Sequence, residues 1–183
     1  MAKIRYKKIP KKLIASAALI ALLGGGAAYQ ALDTVADFEG YVPEGYRDPV
    51  GIPTKCFGDT RDVTVGKEYT FEECQASLNE HLYEIARPVT RCVKGFQDLH
   101  DKTKIALVSM AYNIGSGAMC KSSIVKFFNA GNHERGCRRM AEVYKYATDR
   151  RTGEKKELPG LAKRRNFESN LCLQGVRAKA GGD

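Results

Sequence analysis

The chain has 183 residues and 43% hydrophobic content, which supports one domain with a substantial core and excludes disorder as the default reading. A formal charge of +9 points to anionic partners: nucleic acid, anionic lipid, or a polymer bearing carboxylates. The six cysteines, Cys56, Cys74, Cys92, Cys120, Cys137 and Cys172, show no CxxC or Cys/His spacing. That argues against zinc and for three disulfides formed in an oxidising compartment, although spacing does not choose the pairing. Six buried free thiols in a cytosolic protein are the alternative.

Residues 1–12 carry six basic side chains, Lys3, Arg5, Lys7, Lys8, Lys11 and Lys12, and no acid. They form an arm distinct from the domain. Residues 13–32 contain twenty residues without a charge, the length a helix needs to cross a bilayer. Ten of them are Ala or Gly, and Leu and Ile contribute only about −0.3 to −0.6 kcal/mol each toward insertion, so the span is marginal in lipid. The positive-inside rule places the arm in the cytoplasm and everything after Asp33 across the membrane, which in a bacterium is the periplasm. Four readings compete here: a permanent anchor, a marginal anchor able to leave the membrane, a signal peptide cleaved within residues 24–28, and a buried core helix.

Residues 33–175 read as the folded domain and residues 176–183 as a flexible tail. A short helix leads into Glu39 and stops at Gly40. Closely spaced Gly and Pro then separate extended pieces around Tyr46, residues 54–57 and residues 63–65, predicting a small antiparallel sheet. Thr70 and Glu73 form a capping-box pattern for a helix striped by Phe71, Cys74, Leu78, Leu82 and Ile85, which Pro88 is expected to end. Residues 105–114 are apolar nearly all round and predict a central buried helix closed by Gly115. Ser122 or Ser123 caps a short helix, and Cys137, Met140, Ala141 and Tyr144 stripe the next. Residues 148–157 read as a surface loop or hairpin, and a last helix runs from near Leu161 through Cys172.

The chemistry is expected within residues 38–60, FEGYVPEGYRDPVGIPTKCFGDT. Glu39 is followed by Asp48 after eight residues, and Asp48 by Thr54 after five. Residue frequencies alone give about 0.03 such matches in a chain this long. Glycosidic bond cleavage uses two carboxyl groups across a cleft, one protonated to donate to the leaving oxygen and one ionised. Glu39 is the candidate acid, Asp48 the ionised partner, and the Thr54 hydroxyl a holder of water. Taken singly, these are a helix-end charge, a turn residue before Pro49 and an ordinary strand residue.

These residues resemble the phage-type lysozyme family of glycoside hydrolases, the endolysins that degrade bacterial peptidoglycan. A Glu-Gly after a short helix, with the Asp and Thr at this spacing, is that family's catalytic triad, which the resemblance carries to Glu39, Asp48 and Thr54. ALVSMAYNIGSG (residues 106–117), SSIVKFFNAG (122–131) and LPGLAKRRNFESNLC (158–172) resemble its central helix, the following helix and turn, and its Arg-rich C-terminal helix. Where many members have Gly-His-Thr, this chain has Gly58, Asp59 and Thr60, which removes a structural interaction and leaves the triad. The chain has no Trp; Tyr144 or Tyr146 fills the place of an aromatic usual before the last loop.

The resemblance implies an α+β fold with a small sheet lobe, a larger helical lobe and a cleft between them. It implies hydrolysis of the β-1,4 bond between N-acetylmuramic acid and N-acetylglucosamine with inversion, peptidoglycan as the partner, and no cofactor or metal. A monomer is expected. Residues 1–32 resemble the signal-anchor-release segment of some lambdoid endolysins, held inactive at the inner membrane through residues 13–32 until depolarisation frees them into the periplasm. No cysteine lies in that segment, so thiol exchange with it is excluded. The rival outside enzymology is a basic nucleic-acid or anionic-lipid binder using Lys163, Arg164 and Arg165, for which a solvated helix face is the plainer account; no nucleic acid is expected.

Overall fold

The structure, a computed structural model, describes residues 4–148 and 152–181. Residues 13–32 do not form one straight helix. Ser16 caps α1 (Ala17–Leu23) by accepting the Leu19 amide, and the helix stops at Gly24, whose φ of +90° suits glycine alone. Helix α2 (Gly25–Glu39) restarts at once, bent by 110° from α1. Among the described residues no single helix is long and apolar enough to cross a membrane; this bent pair meets the test by length and composition. In this conformation the segment is core. Leu19, Leu23, Ala27, Ala28, Ala31 and Leu32 have no exposed surface, and Leu13 has almost none. Burying four leucines contributes roughly 6 to 12 kcal/mol over leaving them in water. The domain boundary drawn before Asp33 therefore does not describe this state, because the core extends back to Leu13.

The arm is docked as well. The Lys7 amide donates to the Tyr41 carbonyl at 2.8 Å in an antiparallel bridge. Farther along, the Ile14 and Ser16 amides donate at 2.7 Å to Gln75 and Asn79 of helix α3 (Phe71–Cys92), and Asn79 returns a bond to the Ile14 carbonyl.

In the small lobe, β1 (Val42–Arg47) pairs antiparallel with β2 (Pro53–Cys56), Tyr46 opposite Thr54. The third expected piece, residues 63–65, is not a strand. Left-handed residues Asp62 and Gly66 bracket it too closely, and Gly45 instead exchanges backbone bonds with Gly66 and Lys67.

The Thr70/Glu73 capping box is present at the start of α3. Pro88 does not end that helix, which continues to Cys92. A mid-helix proline costs about 3 kcal/mol, and anchors beyond it offset this: Val89 is fully buried, Cys92 is bridged to Cys120, and Asn129 bonds the Cys92 carbonyl. Helix α4 (Asp101–Ile114) is the expected central helix, buried from Thr103 to Ala111 and closed by Gly115. After α5 (Ser116–Lys121), Ser122 caps α6 (Ser123–Asn129). Helix α7 (His133–Glu142) stops before Tyr144, which is exposed with φ +54° and so leaves the predicted stripe. At the two ends of the expected loop or hairpin, β3 (Tyr146–Thr148) pairs antiparallel with β4 (Lys155–Glu157); residues 149–151 lie outside the described residues. Helix α8 (Pro159–Gly181) packs on α4 and α7 and runs through most of the expected tail. Its Gly175 lies too close to Thr103 of α4 for any side chain.

The disulfides are Cys56–Cys74, Cys92–Cys120 and Cys137–Cys172. The first joins the end of β2 to α3, so it couples the two lobes beside the expected site. Replacing both Cys56 and Cys74 by Ser should cost about 3 kcal/mol, a fall in thermal midpoint of about 6 to 12 °C by calorimetry. An unchanged midpoint would mean that the bridge does not constrain the lobes.

Candidate active site

Glu39 is the last residue of α2, and its position follows from Gly40, whose φ of +75° ends the helix and turns the chain into β1. The side chain is 23% exposed. Its Oε1 accepts from Arg164 Nη1 of α8 at 2.8 Å, and its Oε2 lies near Gly58, where a Cβ would approach to 3.4 Å. Helix end, β2 exit and C-terminal helix thus converge on one carboxylate.

Asp48 and Thr54 are brought together by the turn between β1 and β2. Asp48 Oδ1 accepts the Val50 and Ile52 amides at 3.0 and 2.8 Å, while its own amide donates to the Ile52 carbonyl. Both side-chain bonds use one oxygen, so Oδ2 keeps its lone pairs. Thr54 is buried, and its hydroxyl donates to the same Ile52 carbonyl at 3.0 Å, leaving its oxygen as an acceptor. Ile52 is therefore the hinge that fixes both groups. Burial, then Tyr6, Asp48 and Glu39, pushes the hydroxyl of Tyr46, which stands opposite Thr54, up.

Arg164 is the main residue that motif spacing does not supply. Its Nε donates to Glu168, Nη1 to Glu39 and Nη2 to the Ser109 carbonyl, and its guanidinium lies 4.7 Å from the Phe38 ring centroid. Phe38 in turn meets Phe167 edge to face at 5.3 Å. Beneath it, Glu168 is fully buried, accepts from Ser109 at 2.8 Å, and has Arg165 Nε 2.9 Å from Oε2 in an ionic contact without hydrogen-bond geometry. Burial pushes the Glu168 carboxyl up, against the pull of Arg165 and Arg164. Two guanidiniums and two carboxylates form a charge-balanced group whose outermost member is Glu39. Arg164 and Arg165, 5% and 0% exposed, are thus neither a solvated helix face nor a nucleic-acid patch. The RR-x-x-E spacing within RRNFES was a usable signal, since an acid three and four residues after two arginines faces them on a helix.

Asp59, which stands where a histidine was expected, retains a structural interaction of its own. It is buried and accepts from the Ser77 hydroxyl and from both the amide and Nε of Arg61. Burial acts to raise its carboxyl, but these bonds win and hold it below the usual range. Nearby, the His81 ring lies 4.6 Å from that of Tyr112, whose hydroxyl bonds the Phe57 carbonyl. Burial, then Arg61, keeps the His81 imidazole below its ordinary range.

A small sheet lobe, a helical lobe and a carboxylate held where they meet define a lysozyme-like α+β protein. The chain belongs to the phage lysozyme family, which it matches over residues 36–168. It is 35% identical over 138 residues to the SAR-endolysin of Bacteriophage PS119, covering 75% of this chain and 77% of that one. Against the SAR-endolysin of Enterobacteria phage P21 it is 33% identical over 167 residues, 86% of this chain and 94% of the relative. Among solved structures it is similar to an endolysin from Escherichia coli O157:H7 phage FAHEc1, with a TM-score of 0.71 and 32% identity over 79% of this chain and 90% of that one.

Proposed function

We propose that the protein is a lytic endolysin that hydrolyses the β-1,4 bond between N-acetylmuramic acid and N-acetylglucosamine in peptidoglycan, acting as a monomer. Glu39 donates a proton to the leaving glycosidic oxygen. Asp48, through Oδ2, and Thr54, through its hydroxyl oxygen, hold the water that attacks the anomeric carbon from the opposite face, giving inversion. The observation that carries this reading is the pairing of Glu39, oriented by Arg164, with a hairpin turn that aims Asp48 and Thr54 through one residue, Ile52. Arg164 steers the carboxyl without competing for both of its oxygens.

The same residues 13–32 serve in two states. Inserted, they hold the chain at the inner membrane with the arm on the cytoplasmic side. Withdrawing six positive charges against the potential costs up to about 2.3 kcal/mol each per 100 mV, and depolarisation removes that barrier. Once free, the segment packs as α1 and α2 and carries Glu39 into place. Cleavage near Ala28 is disfavoured by the core itself, since it would remove Leu13, Leu19, Leu23 and Ala27.

The exposed positions give a clean test. Ala17, Ala18 and Ala21 face solvent in the folded form, so changing all three to Leu leaves the core intact. Each adds roughly 0.5 kcal/mol of insertion energy, about tenfold together. After an uncoupler is added to intact cells, the wild-type chain should move, with residues 1–32 retained, to the soluble fraction. The triple variant should release about tenfold less. Equal release, or an N-terminus starting near Ala28, contradicts the two-state segment.

A further inference from the structure

The arm before the membrane segment has no part in the triad, yet it reaches the site. Tyr6 lies on Gly40, the residue directly after Glu39: a Cβ built at Gly40 would sit 2.5 Å from Tyr6 Cδ1 and 2.7 Å from Cε1. Gly40 is thus required for its positive φ and also for the close approach of this ring. The Lys7–Tyr41 backbone bond fixes the register of the contact, and Lys7 and Lys11 face Glu68 and Glu72 at 3.8 and 2.9 Å. These exposed ion pairs contribute little energy but select one docked position. Tyr6 belongs to no core cluster. It is 62% exposed, an aromatic ring held against backbone at one side with most of its surface in water.

Resting on the muramidase reading, we propose that Tyr6 is a substrate-binding residue whose ring forms a wall of the cleft beside Glu39 and packs against a sugar ring of the glycan. An aromatic ring offers a flat apolar face to the C–H face of a pyranose at little cost in entropy, and the exposed side of Tyr6 is free for that use. The cleft is then assembled from both sides of the membrane segment. In the tethered state Tyr6 lies on the cytoplasmic side, so the cleft lacks this wall even where β1 and β2 have formed. Release therefore supplies a binding element as well as the helix that ends in Glu39.

The test uses the purified, released full chain with soluble peptidoglycan glycan strands. Tyr6→Ala and Tyr6→Leu should each raise KM about 3- to 10-fold, the range of one aromatic contact. Both should leave kcat within about twofold and the thermal midpoint nearly unchanged, because the side chain is outside the core. Leu keeps apolar cover over Gly40 without a ring, and Tyr6→Phe should retain the wild-type KM. Wild-type KM in both Ala and Leu variants overturns the proposal. So does a fall in kcat and midpoint together at constant KM, which would mark a latch. If the wild type itself produces no new reducing ends, the muramidase reading falls and this proposal with it, an outcome visible without any Tyr6 variant.

Discussion

Glu39→Gln is expected to slow hydrolysis of purified cell walls by about 100- to 10,000-fold, the range that a general acid supplies. Gln keeps the shape and an oxygen that accepts from Arg164 Nη1, so the pocket persists while the proton donor is gone. The loss of a charge-assisted bond to a partly exposed group costs about 1 kcal/mol, and the thermal midpoint should fall by only about 2 to 4 °C. Activity and stability are thereby separated: turbidity loss with permeabilised cells disappears while the melting curve barely moves. Substantial residual activity would remove Glu39 from the acid role.

Arg164→Ala should have the larger effect on folding. Arg164 serves Glu39, Glu168 and the Ser109 carbonyl at once, and its removal leaves buried Glu168 with Arg165 and the Ser109 hydroxyl alone. Breaking one side of a buried ionic group costs about 3 to 5 kcal/mol, a fall in midpoint of about 6 to 20 °C. Activity should fall as well, because the Glu39 carboxyl loses its orienting donor. Arg164→Lys should recover only part of either, since one ammonium cannot span three acceptors on different elements. A variant as stable as wild type would show that Glu168 is satisfied without Arg164.

Much of this was legible in the residues. Spacing together with the family resemblance singled out Glu39, Asp48 and Thr54 as candidates, and the capping box at Thr70, the Gly40 and Gly115 stops and the Ser122 cap were readable because each depends on chemistry within a few positions. What escaped the sequence depends on contacts between distant segments. Pro88 reads as a helix end locally and is overruled by Val89 and the Cys92–Cys120 bridge. Arg164 reads as a surface cation until α8 is laid on α4 and its neighbours become Ser109 and Glu39. Residues 13–32 are the most instructive case, because composition suits both a weak membrane span and a small-residue core helix. Gly24, with its positive φ, carries the 110° bend of the folded form. The composition is compatible with both, and the docking of the arm through Lys7 and Tyr6 depends on contacts with distant Tyr41 and Gly40.

On the proposed mechanism, Glu39 drives cleavage of the N-acetylmuramic acid to N-acetylglucosamine bond. Digesting purified peptidoglycan with the released protein, reducing the products with borohydride and identifying their ends by mass spectrometry tests it most directly. Muropeptides ending in reduced N-acetylmuramic acid are expected, absent with Glu39→Gln, with the α-anomer appearing first when unreduced products are followed by proton NMR. Products ending in reduced N-acetylglucosamine, or peptides released without any new reducing end, would contradict it.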